Sequence, residues 1–262
     1  MADAKLLDIP SDRLNACFAR EPFEIVHALC SHPLFELDRL VELAWANQRH
    51  VQWHQGNLAA DEVRGDPGDP ARARRNTFGT RRFPGNGLGI RETIEQIETN
   101  GSWMLIREIG EIPEYRRLFD RYMSEVREQL AGLAPGMQKC RSDVVISSPD
   151  VVTPFHVDEE QNFLLQIRGW KELTVVDGKD PRGVSESDLE VFYAGDGELH
   201  PGRIDRGAPH TSLRLTAGHG VHIPSLFPHS VKNGDAVSVS VTTMFLTDAT
   251  ERRRDLYRIK SW

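Results

Sequence analysis

The sequence predicts a mainly β chain with a helical N-terminal half. Two observations predict it. Residues 11–62 and 90–132 carry apolar residues at helical spacing, and from about residue 141 short β-rich runs follow one another between Gly, Pro and Asp turns. Many short strands at close spacing build a sandwich or a barrel. The chain therefore reads as a helical N-terminal half wrapped on a β-barrel half.

Within 11–62, Ile25 and Leu29 stand four apart, and after a break at Pro33, Leu37, Leu40 and Ala44 continue at spacings of three and four. Residues 64–87 hold little apolar content, several Gly and Pro, and six Arg. This is a loop, either a solvated insertion or a basic lid or anionic-substrate contact. Two further helices are expected in "IRETIEQIE" and "IPEYRRLFDRYMSEVREQLAG", the second with Tyr115, Leu118, Tyr122, Val126 and Leu130 on one stripe, and "SWMLIREI" between them suits a short strand. Beyond residue 141, "SDVVISS", "FLLQI", "KELTVVD", "LEVFYAG", "SLRLTAG", "GVHIPS" and "AVSVSVTTMFLTD" are the expected strands, and "ATERRRDLYRIKSW" a terminal helix. The reading is one domain over 1–262: a largely helical layer to 135, a β core from 136 to 248, and a short helix over 249–262.

Composition narrows the function classes. No run of eighteen apolar residues exists, so no membrane helix is expected. "MADAKLLDIPSDR" has charges where a signal peptide needs an apolar stretch, which points to the cytoplasm. Cys17, Cys30 and Cys140 are odd in number and never form a CxxC pair, against both a disulfide framework and a cysteine-based zinc site. The net charge of −7 offers nucleic acid no global attraction, so no nucleic-acid partner is expected.

The chemistry-bearing residues fall in two stretches. In "TPFHVDEEQNFLLQIRGWKEL", His156 and Asp158 are two apart, and on an extended segment such residues share a face. HxD alone means little. The second stretch, "GHGVHIPSLFPHSVKNG", places His229 71 residues beyond Asp158, at a loop–strand junction ahead of an Asn233-Gly234 hairpin signal.

These residues carry a family resemblance. "HVDEEQNFLLQIRG" resembles the first cupin motif and "GHGVHIPSLFPHSVKN" the second. Asp158 stands where a second His is usual, Asn162 where a Glu is usual, and Leu226 where a Gly is expected. His, Asp and a distant His are instead similar to the jumonji C and cupin-like Fe(II)/2-oxoglutarate oxygenases. Thr153–Lys171 locally resembles the asparaginyl hydroxylase that modifies hypoxia-inducible factor. The resemblance implies a double-stranded β-helix, or jelly roll.

It also implies a site. Two neutral imidazoles and one carboxylate suit non-haem Fe(II), leaving positions for a bidentate 2-oxo acid and O2. One carboxylate against Fe(II) leaves a net positive centre, which favours a dianionic cosubstrate. Zinc is the alternative metal for the same ligands. Asp158, where related halogenases have Gly or Ala, points to hydroxylation or demethylation. The resemblance gives Lys171 the far carboxylate of 2-oxoglutarate, with Arg168 as fallback, Thr153 as hydroxyl donor, and Asn162 and Thr242 as contacts beside the cosubstrate. Without the resemblance, Lys171 reads as a strand-end lysine, Thr153 as a strand residue and Asn162 as a turn cap.

In "AVSVSVTT", Val237, Val239 and Val241 share one face and Ser238, Ser240 and Thr242 the other, so the hydroxyls line either the interior or the solvent side. His219 and His222, three apart in a strand, face opposite sides, and with His210 are read as structural or substrate-side. Trp170 and Phe163 are expected in the core. The expected activity is an Fe(II)- and 2-oxoglutarate-dependent hydroxylase of a peptide, protein side chain or small metabolite. A metal-dependent cupin without 2-oxoglutarate and a non-catalytic ligand-binding protein are the alternatives. The primary substrate and a homodimer are left open.

Overall fold

The computed structural model describes residues 5–55, 86–194, 205 and 207–260. The chain starts with β1 (Leu7–Asp8) and α1 (Ser11–Cys17), then β2 (Phe23–His27), α2 (Leu37–Ala46) and β3 (Val51–Gln55). After residues 56–85, which lie outside the described residues together with nearly all of the Arg-rich stretch, come α3 (Ile90–Glu95), β4 (Ser102–Ile106) and α4 (Pro113–Gln129).

Over the described part of 1–135, the four helices of the expected helical layer share the region with four strands, β1 to β4. The four-residue step from Ile25 to Leu29 suggests a helix, but Phe23, Ile25 and His27 are buried while Glu24 and Val26 point out, which is period two. Sheet pairing overrides the weak helical spacing. The stripe on α4 holds better: Tyr115, Tyr122, Val126 and Leu130 are buried, Leu118 is partly so, and Tyr115 donates to the Leu34 carbonyl at 2.6 Å.

The β-rich half contains β5 (Gln138–Ser147), β6 (Val152–His156), β7 (Gln161–Arg168), β8 (Trp170–Val176), α5 (Glu186–Ala194), β9 (His210–Thr216), β10 (His219–Ile223), β11 (His229–Asn233), β12 (Ser238–Leu246) and α6 (Asp248–Lys260). An eight-stranded sheet runs β1-β2-β10-β7-β12-β5-β4-β3, and a four-stranded sheet runs β6-β11-β8-β9. Among the described residues all pairs are antiparallel. From β5 to β12 the chain winds between the two sheets as a jelly roll does. β1 to β4 extend the larger sheet at both edges.

Three local expectations change. "LEVFYAG" forms α5, not a strand. Ser185 and Asp188 cap it reciprocally, Ser185 N–H donating to Asp188 Oδ2 at 3.1 Å and Asp188 N–H to Ser185 Oγ at 3.2 Å. Asn233-Gly234 makes no hairpin, because β11 and β12 lie in different sheets and the segment carries the chain across. Gly234 is needed there for space: a Cβ would stand 2.0 Å from the Trp170 ring. Trp170 is consequently a surface clasp and not a core residue. Its Nε1 donates to Asp235 at 2.9 Å and the Arg214 guanidinium lies 3.9 Å above its ring.

Each face of the large sheet has its own packing layer. On the outer face, Val144, Ile146, Phe163, Val239, Val241 and Phe245 meet the apolar faces of α2 and α4. Between the sheets, Leu164, Val221 and Ile223 meet Leu173, Val175, Leu215 and Val231. A fully buried side chain of this kind contributes roughly 1.5–3 kcal/mol. Among the described residues, no helix is long and apolar enough to cross a membrane.

Candidate metal centre

His156 ends β6 and His229 begins β11, and the two are direct partners in the ladder. Their ring centroids are 4.2 Å apart. Each imidazole is fixed by its own chain. His156 Nδ1 lies 2.9 Å from the Pro154 carbonyl, and His229 Nδ1 lies 2.9 Å from the Phe227 carbonyl. A carbonyl only accepts, so the proton of each ring sits on Nδ1 and each Nε2 carries a lone pair able to ligate a cation.

Asp158 lies just beyond β6, so the shared face expected of a continuous strand is supplied by a loop. Leu226 N–H donates to the Asp158 carbonyl at 2.8 Å. Leu226, which replaces the expected Gly, takes φ +63°, the left-handed region that favours glycine. Its side chain is buried with Val157, Val184 and Phe192, and that packing holds the strained backbone in place. The carboxylate is aimed by a relay: Thr242 Oγ1 donates to Asn162 Oδ1 at 2.6 Å, and Asn162 Nδ2 donates to Asp158 Oδ2 at 3.0 Å.

The three side chains converge. Asp158 Oδ2 is 3.7 Å from His229 Nε2, and one donor atom from each of the three residues lies within 4.8 Å of the others. That is the scale of one coordination sphere, about twice a metal–ligand bond of about 2.1 Å. The protonation states suit ligation. Burial, with His156 alongside, lowers His229 to about 4, so it is neutral at pH 7. Burial alone pushes Asp158 up, but His229, His156 and the Asn162 hydrogen bond outweigh it and hold the carboxylate below its ordinary range. Two imidazoles and one carboxylate fit Fe(II) with positions left open, or Zn²⁺.

Lys171 is 3% exposed, and its Nζ donates to Ser240 Oγ at 2.9 Å. Burial lowers it to about 7. Among the described residues no carboxylate pairs with it, which leaves a buried amine suited to an incoming anion. Arg168 is exposed. Ser238, Ser240 and Thr242 are buried on the interior face, and the valines between them pack outward. Thr153 is half-buried in β6 opposite Val231.

The other histidines stay out of the centre. His210 and His219 are exposed. His222 is buried among Phe18, Phe23 and Phe163 and hydrogen-bonded to Gln161 at 2.9 Å. Sequence reading missed Arg141 and Arg254, which pair with the acids following Asp158: Arg141 Nη1 is 3.2 Å from Glu160, and Arg254 Nε is 2.6 Å from Glu159. Arg254 lies 95 positions from its partner, and no local pattern links them.

No protein-family model and no curated protein matches the chain. Solved structures do. An Escherichia coli ycfD structure is 15% identical, with a TM-score of 0.54 over 95% of this chain and 55% of that one. A second structure, described as the Escherichia coli ribosomal oxygenase YcfD, is 14% identical, with a TM-score of 0.53 over 95% and 54%. The same protein in complex with cobalt and 2-oxoglutarate is 15% identical, with a TM-score of 0.49 over 89% and 50%. The chain thus spans about half the length of these proteins, and over that length it has the fold of the ribosomal oxygenase YcfD.

Proposed function

We propose that the chain is an Fe(II)- and 2-oxoglutarate-dependent dioxygenase that hydroxylates a peptide or protein side chain or a small metabolite. The observation that carries this reading is the convergence of His156, Asp158 and His229 with both imidazole Nδ1 atoms already committed to backbone carbonyls. The fold shared with a ribosomal oxygenase supports it. Bound iron would supply oxidation by O2, converting 2-oxoglutarate to succinate and CO2 while one oxygen atom enters a substrate C–H bond.

The residues of the chain have separate tasks. His156 and His229 would hold the metal through Nε2 and Asp158 through its carboxylate. Thr242 and Asn162 keep that carboxylate aimed. Lys171, steadied by Ser240, would pair with the far carboxylate of 2-oxoglutarate, with Thr153 contributing its hydroxyl. The apolar layer between the sheets, Leu164, Leu173 and Val231 among it, excludes water from that end. The three cysteines are free thiols, in keeping with a reducing cytoplasm. The reading treats 1–262 as one domain, because β1 to β4 complete the sheet that the roll begins.

An anaerobic structure with Fe(II) and 2-oxoglutarate tests this directly. The expected result is metal on His156, Asp158 and His229, with the distal carboxylate of 2-oxoglutarate on Lys171. Metal bound elsewhere, or a cosubstrate that avoids Lys171, contradicts it.

A further inference from the structure

Asp158 is the first of three successive carboxylates, Asp158-Glu159-Glu160. The two that follow it are each held by an arginine from a distant element. Arg254 of α6 sets Nε 2.6 Å from Glu159 Oε1, with side chains 15% and 23% exposed. Its Nη1 also meets Glu251 at 3.2 Å. Arg141 of β5 sets Nη1 3.2 Å from Glu160 Oε1, and its Nε stands 3.6 Å from Asp143. The backbone between them is pinned as well, by Leu226 N–H on the Asp158 carbonyl at 2.8 Å and Ser225 Oγ on the Glu159 carbonyl at 2.7 Å.

Register places Arg141 on the side of the site. Met244 of β12 partners Arg141 on one flank and Asn162 on the other, so Arg141 shares the face of the residue that aims Asp158. Its Nη2 reaches the Met244 sulfur at 3.0 Å. An exposed ion pair contributes little, but these lie partly buried beside a candidate metal ligand, where charge is less screened.

We propose that Arg141 is a positioning residue that neutralises Glu160 and holds it back, so that Asp158 and not Glu160 presents negative charge to the metal. The proposal rests on the metal-site reading above and extends it. An unpaired carboxylate beside the metal has two effects of opposite sign: it attracts the cation and repels a dianionic cosubstrate. A structural strut has no such signature, since its loss weakens both ligands together.

The test measures Co(II) affinity by calorimetry on the metal-free protein, then 2-oxoglutarate affinity on the Co(II)-loaded protein. Arg141→Ala is expected to tighten Co(II) and weaken 2-oxoglutarate, each by roughly three- to tenfold. Arg141→Lys keeps the charge and is expected to stay near the wild-type values. The double variant Arg141→Ala/Glu160→Gln removes both charges and is expected to return both affinities to within about twofold of wild type. Loss of Co(II) affinity in Arg141→Ala without recovery in the double variant overturns the proposal, as does no change. The Co(II) measurement needs no cosubstrate, so it decides the proposal even if the wild type fails to bind 2-oxoglutarate and the cosubstrate reading falls.

Discussion

His156 and His229 face each other across the β6–β11 ladder, each with its Nδ1 committed to the carbonyl two residues earlier in its own chain. This symmetry fixes both tautomers before any metal arrives. Two of the three candidate donors are oriented by backbone carbonyls, and the third, Asp158, by Asn162.

The Thr242–Asn162–Asp158 relay leads to the first prediction. Asn162→Ala removes the donor to Asp158 and strands the Thr242 hydroxyl. Co(II) affinity is expected to drop by about 10–100-fold, the usual effect of losing a partner that orients a ligand. Thr242→Val leaves Asn162 in place and is expected to cost less. Equal Co(II) affinity in wild type and Asn162→Ala shows that the relay does not orient the ligand.

Lys171 and Arg168 separate cleanly. Lys171→Ala is expected to raise the KM for 2-oxoglutarate steeply, because leaving one partner of a buried pair uncompensated costs roughly 3–5 kcal/mol. Arg168→Ala is expected to leave it unchanged. The pH dependence gives the sign. Only the ammonium form attracts the cosubstrate, and burial has lowered Lys171 to about 7, so affinity is full below that value and falls as pH rises through it. Lys171→Arg stays charged and is expected to lose this dependence. A KM that stays flat from pH 6 to 9 in the wild type removes Lys171 from the role.

Burial lowers His222 to about 3 and His27 to about 4 from an ordinary value of 6.5. Below pH 6.5 the unfolded chain takes up protons that the folded chain refuses, so the metal-free fold loses stability as pH falls toward 4, and for His222 on toward 3. Thermal melts between pH 7.5 and 4.5 are expected to show a falling Tm, with a shallower slope in His222→Gln, which no longer titrates. Parallel slopes in the two proteins exclude His222 as a source of acid lability.

Much of the candidate site's geometry is legible in the sequence because its signals are short motifs. The pair His156 and Asp158, the distant His229 and the interior Lys171 sit in motifs with fixed spacing, and the alternation in "VSVSVTT" needs only its orientation settled by packing. The N-terminal strands are less legible. β2 lies against β10, about 195 positions away, and only that pairing makes Phe23, Ile25 and His27 a strand face. The helix at "LEVFYAG" carries a local cap signal in Ser185 and Asp188, yet its aromatic and branched residues resemble a strand. Arg141 and Arg254 act on Glu160 and Glu159 across distances that no sequence pattern encodes.

The central claim is that His156, Asp158 and His229 form one iron centre that drives oxidation of 2-oxoglutarate. Succinate release measured with Fe(II), O2 and 2-oxoglutarate tests it most directly, even before a primary substrate is known, if uncoupled turnover is followed. The wild type is expected to release succinate in an Fe(II)-dependent manner, and His156→Ala and Asp158→Ala to release none above background. Turnover that survives in either variant, or a wild type that binds Fe(II) at these residues and yields no succinate, contradicts the account.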